Sequence, residues 1–176
     1  MRLLTFGHGT LDEDALAALI RDAGIERVVD VRTTPKSRRH PWVWREKMDA
    51  WVPQRAHASY EWAAALGGRR RPATDSVNVA LRHPNFRGYA DYMRTSAFQD
   101  PFAALCASLN EASTAIMCSE TLWWRCHRRL ISDAAVVLRG VDVRHLDGRG
   151  HLRPHVLTGG VRQDGALLRY DMVEAA

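Results

Sequence analysis

The chain has 176 residues, 46% hydrophobic and 26% charged, enough for one soluble globular domain that buries about 70% of its unfolded surface. Lys and Arg number 25 against 20 Asp and Glu, a net charge of +5 that favours an anionic partner such as a nucleotide or nucleic acid but falls short of the excess that proves nucleic-acid binding. No apolar run approaches the roughly 20 residues that cross a bilayer, and three cysteines cannot complete a disulfide framework. With no leader-like pattern at Met1-Arg2-Leu3-Leu4, the expected location is cytoplasmic, with reduced thiols and no membrane partner.

Leu3-Leu4-Thr5-Phe6 reads as a buried strand that stops at Gly7-His8-Gly9-Thr10. Leu11, Ala15, Leu16, Leu19 and Ile20 then recur at helical spacing, Thr10 and Glu13 predict a capping box, and Gly24 ends the helix. Arg27 to Arg32 predicts a second strand, followed by a basic, proline-bearing loop from Thr33 to Pro41. The stretch from Trp42 to about Asn110 has a mainly helical pattern, broken at Pro53, at Leu66-Gly67-Gly68 and at His83-Pro84-Asn85. Thr114 to Cys118 is a third strand, expected to turn directly into an amphipathic helix that runs to about Leu138 and stops at Gly140. Val141 to Leu146 is a fourth, Asp147-Gly148 turns it, and Ala166 to Tyr170 is a last strand. Strands alternating with helices predict a three-layer α/β domain with a mostly parallel sheet and helices on both faces.

In open parallel sheets ligands bind beyond the carboxyl ends of the strands. The Gly7 turn, Asp30-Val31-Arg32 and Cys118-Ser119-Glu120 each follow a predicted strand, so the three are expected to meet at one edge. The Gly7 turn would offer backbone N–H groups to an anion at a helix start, or be a plain tight turn. Asp30 and Arg32, two apart, face one side of a strand and suit either a substrate clamp or an internal ion pair, with Ser37 and Arg38 as further anion contacts. Two cation-rich stretches, Arg38 to Arg45 with its two tryptophans and Arg69-Arg70-Arg71, have the composition that grips a phosphate backbone, or are solvated faces.

The richest stretch is Cys118 to Arg129, with two cysteines, Glu120, His127 and three arginines in twelve positions. Cys118 reads as a nucleophile, a metal ligand or a small apolar residue. A metal would draw on Cys126 and His127, completed by His145, His151 or His155, but adjacent residues on a helix point about 100° apart and no Cys-x-x-Cys is present, so no metal is expected. Glu120 is expected in a first helical turn, as a dipole-favoured carboxylate or as an acid/base group with His127 or His8. Arg125, Cys126 and Arg129 read as scaffold or surface.

Thr5-x-Gly7-His8, Asp30-Val31-Arg32 with Pro35, Ser37-Arg38 and Pro41, Leu66-Gly67-Gly68, Phe86-x-Gly88-Tyr89-Ala90-Asp91-Tyr92-Met93, and Cys118-x-Glu120 with Cys126-His127-Arg128 together resemble the domain of unknown function 488 family. The resemblance runs to Leu146, implies a compact α/β fold, and supplies no activity; residues 147–176 form an extension it does not cover. Gly9 stands where that family usually carries Ser.

The leading expectation is an enzyme, hydrolase or transferase, acting on a phosphorylated or nucleosidic substrate without a cofactor. Gly7, Asp30, Arg32, Ser37, Arg38 and Arg128 would bind it, and Cys118, Glu120, His127 and His8 would supply the chemistry. A thiol-dependent enzyme of sulfurtransferase or phosphatase kind is the alternative, although Arg125 comes one residue too late for a Cys-x5-Arg loop. A non-catalytic nucleic-acid-binding module is the third reading.

Overall fold

In the computed structural model, which describes residues 1–172, the chain builds one six-stranded sheet and a separate hairpin. The elements run β1 (Arg2–Gly7), α1 (Glu13–Asp22), β2 (Arg27–Asp30), α2 (Arg45–Trp51), β3 (Ser59–Trp62), α3 (Pro84–Met93) and α4 (Ser96–Ala107). They continue with β4 (Thr114–Cys118), α5 (Arg128–Arg139), β5 (Asp142–Leu146), β6 (Leu152–Pro154), β7 (Val161–Asp164) and β8 (Leu167–Tyr170). The sheet order is β3-β2-β4-β1-β5-β6, parallel throughout except for β6 against β5.

Side-chain alternation along the strands divides the core in two. Leu4, Phe6, Val28, Ala115 and Met117 meet Leu16 and Ile20 of α1 and Met48 and Trp51 of α2. Leu3, Val29, Val31, Ile116 and Cys118 meet α3, α4 and α5 on the other face, through Tyr89, Phe102 and Leu130 among others. Each fully buried leucine or isoleucine contributes about 1.5–3 kcal/mol. The expected three layers are present, and β4, covered on both sides, is buried along its whole length.

Local differences from the sequence expectation have identifiable causes. The cap of α1 is Asp12, whose carboxylate accepts the Ala15 N–H at 2.8 Å, in place of the Thr10–Glu13 box. Its end is as expected: Gly24 at φ +63° donates to the Arg21 carbonyl and Ile25 to the Ile20 carbonyl, the paired bonds of a Schellman turn. The middle of the chain hides an edge strand, β3, which the helical pattern around it obscures. β4 does not turn directly into a helix. Ser119 to Leu122 form a loop, Trp123–Arg125 a single 3-10 turn, and α5 begins only at Arg128.

Candidate functional site

β1, β4 and β2 are parallel neighbours, so their carboxyl ends meet at one edge. Gly7 is in register with Cys118 and Asp30 with Met117. The ladder continues past the strands: His8 N–H donates to the Cys118 carbonyl at 3.0 Å, Gly9 to Ser119 at 3.0 Å, and Val31 to Met117 at 2.9 Å. The three motifs therefore share an edge. They do not form a single wall, because Asp30, Arg32 and His8 lie toward α1 and α2 while Cys118 points to the opposite face.

The Gly7 turn has a different role from the expected anion cradle. The His8 and Gly9 amides are spent on the ladder, and α1 starts several residues later, at Glu13. Gly7 is required for close approach: a Cβ there would overlap the Glu120 carbonyl and stand 3.0 Å from Arg128 Nη2.

Asp30 and Arg32 form a buried bidentate pair, with Arg32 Nε 2.9 Å and Nη2 2.6 Å from the two carboxylate oxygens. Tyr60 of β3 donates to the same carboxylate at 2.6 Å, and Arg32 Nη2 also reaches the Val43 carbonyl at 2.8 Å. Burial and the Asp30 charge push the Tyr60 hydroxyl's pKa up, so it stays a donor. His8 is buried beside this pair, its pKa lowered to about 4 by desolvation and then by the Arg32 charge. Its ring nitrogens face the Gly9 carbonyl at 3.0 Å and Arg32 Nη1 at 3.4 Å. The neutral ring thus donates from Nδ1 and accepts at Nε2, so both nitrogens are engaged within the protein.

On the other face Cys118, Cys126 and His127 gather, with their two sulfurs and a ring nitrogen within 4.8 Å of one another. Cys126 is not on a helix but in extended backbone before α5, at φ −120° and ψ 152°, and is 5% exposed. That conformation removes the angular objection to Cys126 and His127 acting together, and it places Cys126 in the cluster instead of the scaffold. His127 fixes its ring against the Val31 carbonyl, Nε2 to oxygen 2.9 Å; a carbonyl only accepts, so Nε2 carries a proton and Nδ1 faces Cys126 Sγ at 3.6 Å. The Cys126 thiol pKa is lowered to about 6, chiefly because the Cys118 thiol supports its anion, with Arg128 adding to the effect against burial. The Cys118 pKa is correspondingly raised to about 12, by its pairing with Cys126 and then by burial.

Cys118 and His127 line a crevice of about 380 Å³ together with Arg32, Thr33, Thr34, Lys36, Gly68, Arg69 and Ser119. The chain after β2 leaves toward the α1/α2 face and the chain after β4 toward α5. The crevice opens where they part, the usual ligand position in an open parallel sheet.

The match to known proteins covers this framework. Residues 13–135 match the family described as Domain of unknown function DUF488, well over half the chain. The chain belongs to that family. No curated protein and no solved structure matches it. Of the motif residues in this DUF488 chain, Asp30, Arg32, Gly67, Gly68 and Cys118 through Arg128 fall inside the matched span, whereas Gly7 and His8 precede it.

The other expected site residues stand apart from the crevice wall. Glu120 is exposed, in a loop instead of a first helical turn, and its carboxylate accepts the Leu122 N–H at 3.4 Å. Arg128 is 1% exposed and spends its guanidinium within the protein, on the Glu120 carbonyl, on Thr5 Oγ1 at 3.4 Å and on Cys126 Sγ at 3.5 Å. Ser37 accepts the His40 N–H at 3.2 Å, and Arg38 is exposed on the same loop, outside the crevice lining. The tryptophans of the basic stretch are also engaged: Trp42 donates to the Leu11 carbonyl and Trp44 to that of Ser37.

What the sequence reading missed is the loop that closes the crevice. Gly67 and Gly68 give it its fit: a Cβ on Gly67 would stand 2.7 Å from Thr33 Oγ1, and one on Gly68 2.8 Å from His127 Nδ1. Arg69 follows at φ +62°, a costly left-handed backbone for a residue with a side chain, and it is part of the crevice lining. The α3 motif holds this loop in place. Tyr89 donates to the Leu66 carbonyl at 2.7 Å and meets the His127 ring edge-on, and Asp91 accepts from Ala73, Ser76 and Asn78. The Gly67-Gly68 pair was the available signal, since two adjacent glycines without turn chemistry around them mark a close backbone approach.

Proposed function

We propose that the protein is an enzyme that carries out hydrolysis or group transfer on a small phosphorylated or nucleosidic anion. In this reading the Cys118, Cys126 and His127 cluster, and not Glu120 or His8, is the reactive centre. One observation carries it: two members of the cluster line a crevice whose rim bears Lys36 and Arg69. A thiol and an imidazole there face a space in which the two cations would hold a phosphate or carboxylate. Glu120, facing solvent, is poorly placed for the same substrate. The thiol-centred alternative thus gains over acid/base chemistry at Cys-x-Glu, without the Cys-x5-Arg loop of a phosphatase.

The test is turnover by the full chain on a panel of phosphorylated and nucleosidic compounds, with two variants compared. Cys118→Ser is expected to lower kcat/KM by about 100-fold or more, while Glu120→Gln stays within about 3-fold of the parent. The opposite ranking, with both variants folded, returns the chemistry to the carboxylate.

A further inference from the structure

We infer that Cys118, Cys126 and His127 form a metal site for Zn²⁺ or a similar soft divalent cation, with an open fourth position facing the crevice. The inference rests on the proposed function for its biological setting, and on geometry alone for the site itself. Two thiols and an imidazole are the donor set that soft and borderline cations select. Two segments far from a zinc-ribbon spacing deliver them. Cys118 ends β4, and the chain loops out through the 3-10 turn Trp123–Arg125 before Cys126 and His127 return beside it.

The distances suit a tetrahedral centre. With metal–ligand bonds of about 2.3 Å to sulfur and 2.0 Å to nitrogen, tetrahedral angles separate sulfur from nitrogen by about 3.5 Å and sulfur from sulfur by about 3.8 Å. Cys126 Sγ and His127 Nδ1 are 3.6 Å apart. With every ligand atom within 4.8 Å of the others, Cys118 has to close by no more than about 1 Å on the other sulfur and about 1.3 Å on the nitrogen.

The surroundings are arranged for a ligand. A metal-binding histidine ordinarily donates its other ring N–H to a carbonyl or carboxylate, which fixes the tautomer and the ring plane. His127 does this with the Val31 carbonyl, leaving Nδ1 for the metal. Gly68 has no side chain where a Cβ would come within 2.8 Å of that nitrogen, so the approach from the crevice stays clear. Among the described residues no carboxylate or further histidine joins the group, which remains at three protein ligands. Structural zinc sites close with four, and catalytic ones keep the fourth position for water or substrate. Bound as thiolates, Cys118 and Cys126 would balance the dication, any remaining thiol proton passing to solvent on metal uptake, leaving Lys36 and Arg69 to face an anion.

The experiment is anaerobic titration of the reduced, metal-free full chain with Co²⁺, followed by Zn²⁺. One equivalent of cobalt is expected to give a thiolate-to-metal charge-transfer band with tetrahedral ligand-field bands, both abolished by zinc. Cys118→Ser and Cys126→Ser should weaken binding by about 100-fold or more, and Cys106→Ser, in α4 away from the site, should bind as the parent does. Should a cysteine variant not fold, the parent protein still answers: Zn²⁺ should slow alkylation of Cys126, the thiol whose anion is favoured, by iodoacetamide, located by peptide mass. Absence of the charge-transfer band in the folded parent, its persistence in a folded Cys118→Ser or Cys126→Ser variant, or alkylation of Cys126 indifferent to zinc overturns the site. Turnover on the substrate panel by protein that shows no cobalt bands would remove the metal and leave the proposed function. Cobalt bands in a protein that turns over nothing on that panel would do the reverse.

Discussion

Gly68 makes the sharpest demand of any single residue in the crevice. Its backbone passes so close to His127 that a methyl group would have to displace the ring, and the ring is held from behind by the Val31 carbonyl and edge-on by Tyr89. Gly68→Ala is therefore expected to destabilise the chain by about 1–3 kcal/mol, the usual cost of overpacking. On the proposed function it should also move His127 away from Cys126, with a loss of turnover larger than the loss of stability explains. Thermal melting beside kcat/KM for Gly68→Ala checks this, and full activity in the variant would mean the loop yields instead of the imidazole. Residue types alone gave part of this site away. Cys118 and Arg32 are legible as chemically distinctive residues at predicted strand ends, whereas the sequence pattern puts His127 inside a helix and only the fold brings it to the crevice. Cys126 is not legible either, since its role depends on extended backbone that a helical pattern on both sides conceals.

Elements were more legible than the contacts between them. β1, β2, β4 and β5 announce themselves as short apolar runs bounded by polar turns, and α5 by its spacing and the stop at Gly140. β3 was hidden because Ser59-Tyr60-Glu61-Trp62 is a half-exposed edge strand within helical sequence, although it supplies Tyr60 to the Asp30–Arg32 pair. Nor does periodicity show which partners a strand acquires across the sheet. His145 of β5 takes the Thr5 hydroxyl from β1 at 2.7 Å, gives its other nitrogen to His155 at 2.9 Å and stacks on Trp123 at 4.0 Å, with Arg128 nearby. Burial, then His155 and Arg128, lower its pKa from 6.5 to about 3. A folded-state pKa below the unfolded one means that between those values the unfolded chain binds a proton the folded chain refuses. Stability is thus complete above pH 6.5 and declines as the pH falls toward 3. From pH 7.5 to pH 5, His145 alone accounts for about 2 kcal/mol of that decline, and His8 adds a second proton of the same sign. Melting curves over this window should show a steep dependence in the parent that His145→Gln reduces by about one proton; an unchanged slope would refute the assignment.

The whole molecule extends beyond the span that matches its family, and the join is a buried carboxylate. Asp133 of α5 is fully buried, and its partners come from the tail: His155 Nε2 at 2.9 Å, the Thr158 N–H at 3.0 Å and the Tyr170 hydroxyl at 3.0 Å. Leu168 and Tyr170 of β8 join the core beside α3 and α5, and the Tyr170 N–H donates to Asn78 Oδ1 at 3.1 Å, in the loop that Asp91 holds. From sequence the tail shows only glycine turns and one weak strand, because its value lies in donors aimed at a residue more than twenty positions away. Removing residues 147–176 would leave the Asp133 carboxylate without those donors, a loss of about 3–5 kcal/mol before the apolar contacts of Leu168 and Tyr170 are counted. Against a total stability of about 5–15 kcal/mol, chain 1–146 should fail to fold cooperatively. Tyr170→Phe removes one donor and keeps the ring, so it should cost about 1–3 kcal/mol, a fall of about 2–12 °C in melting temperature. Calorimetry on the three proteins distinguishes a tail that completes the core from an appended segment. A cooperative transition in chain 1–146 within a few degrees of the full chain would show that α5 can hold Asp133 without the tail.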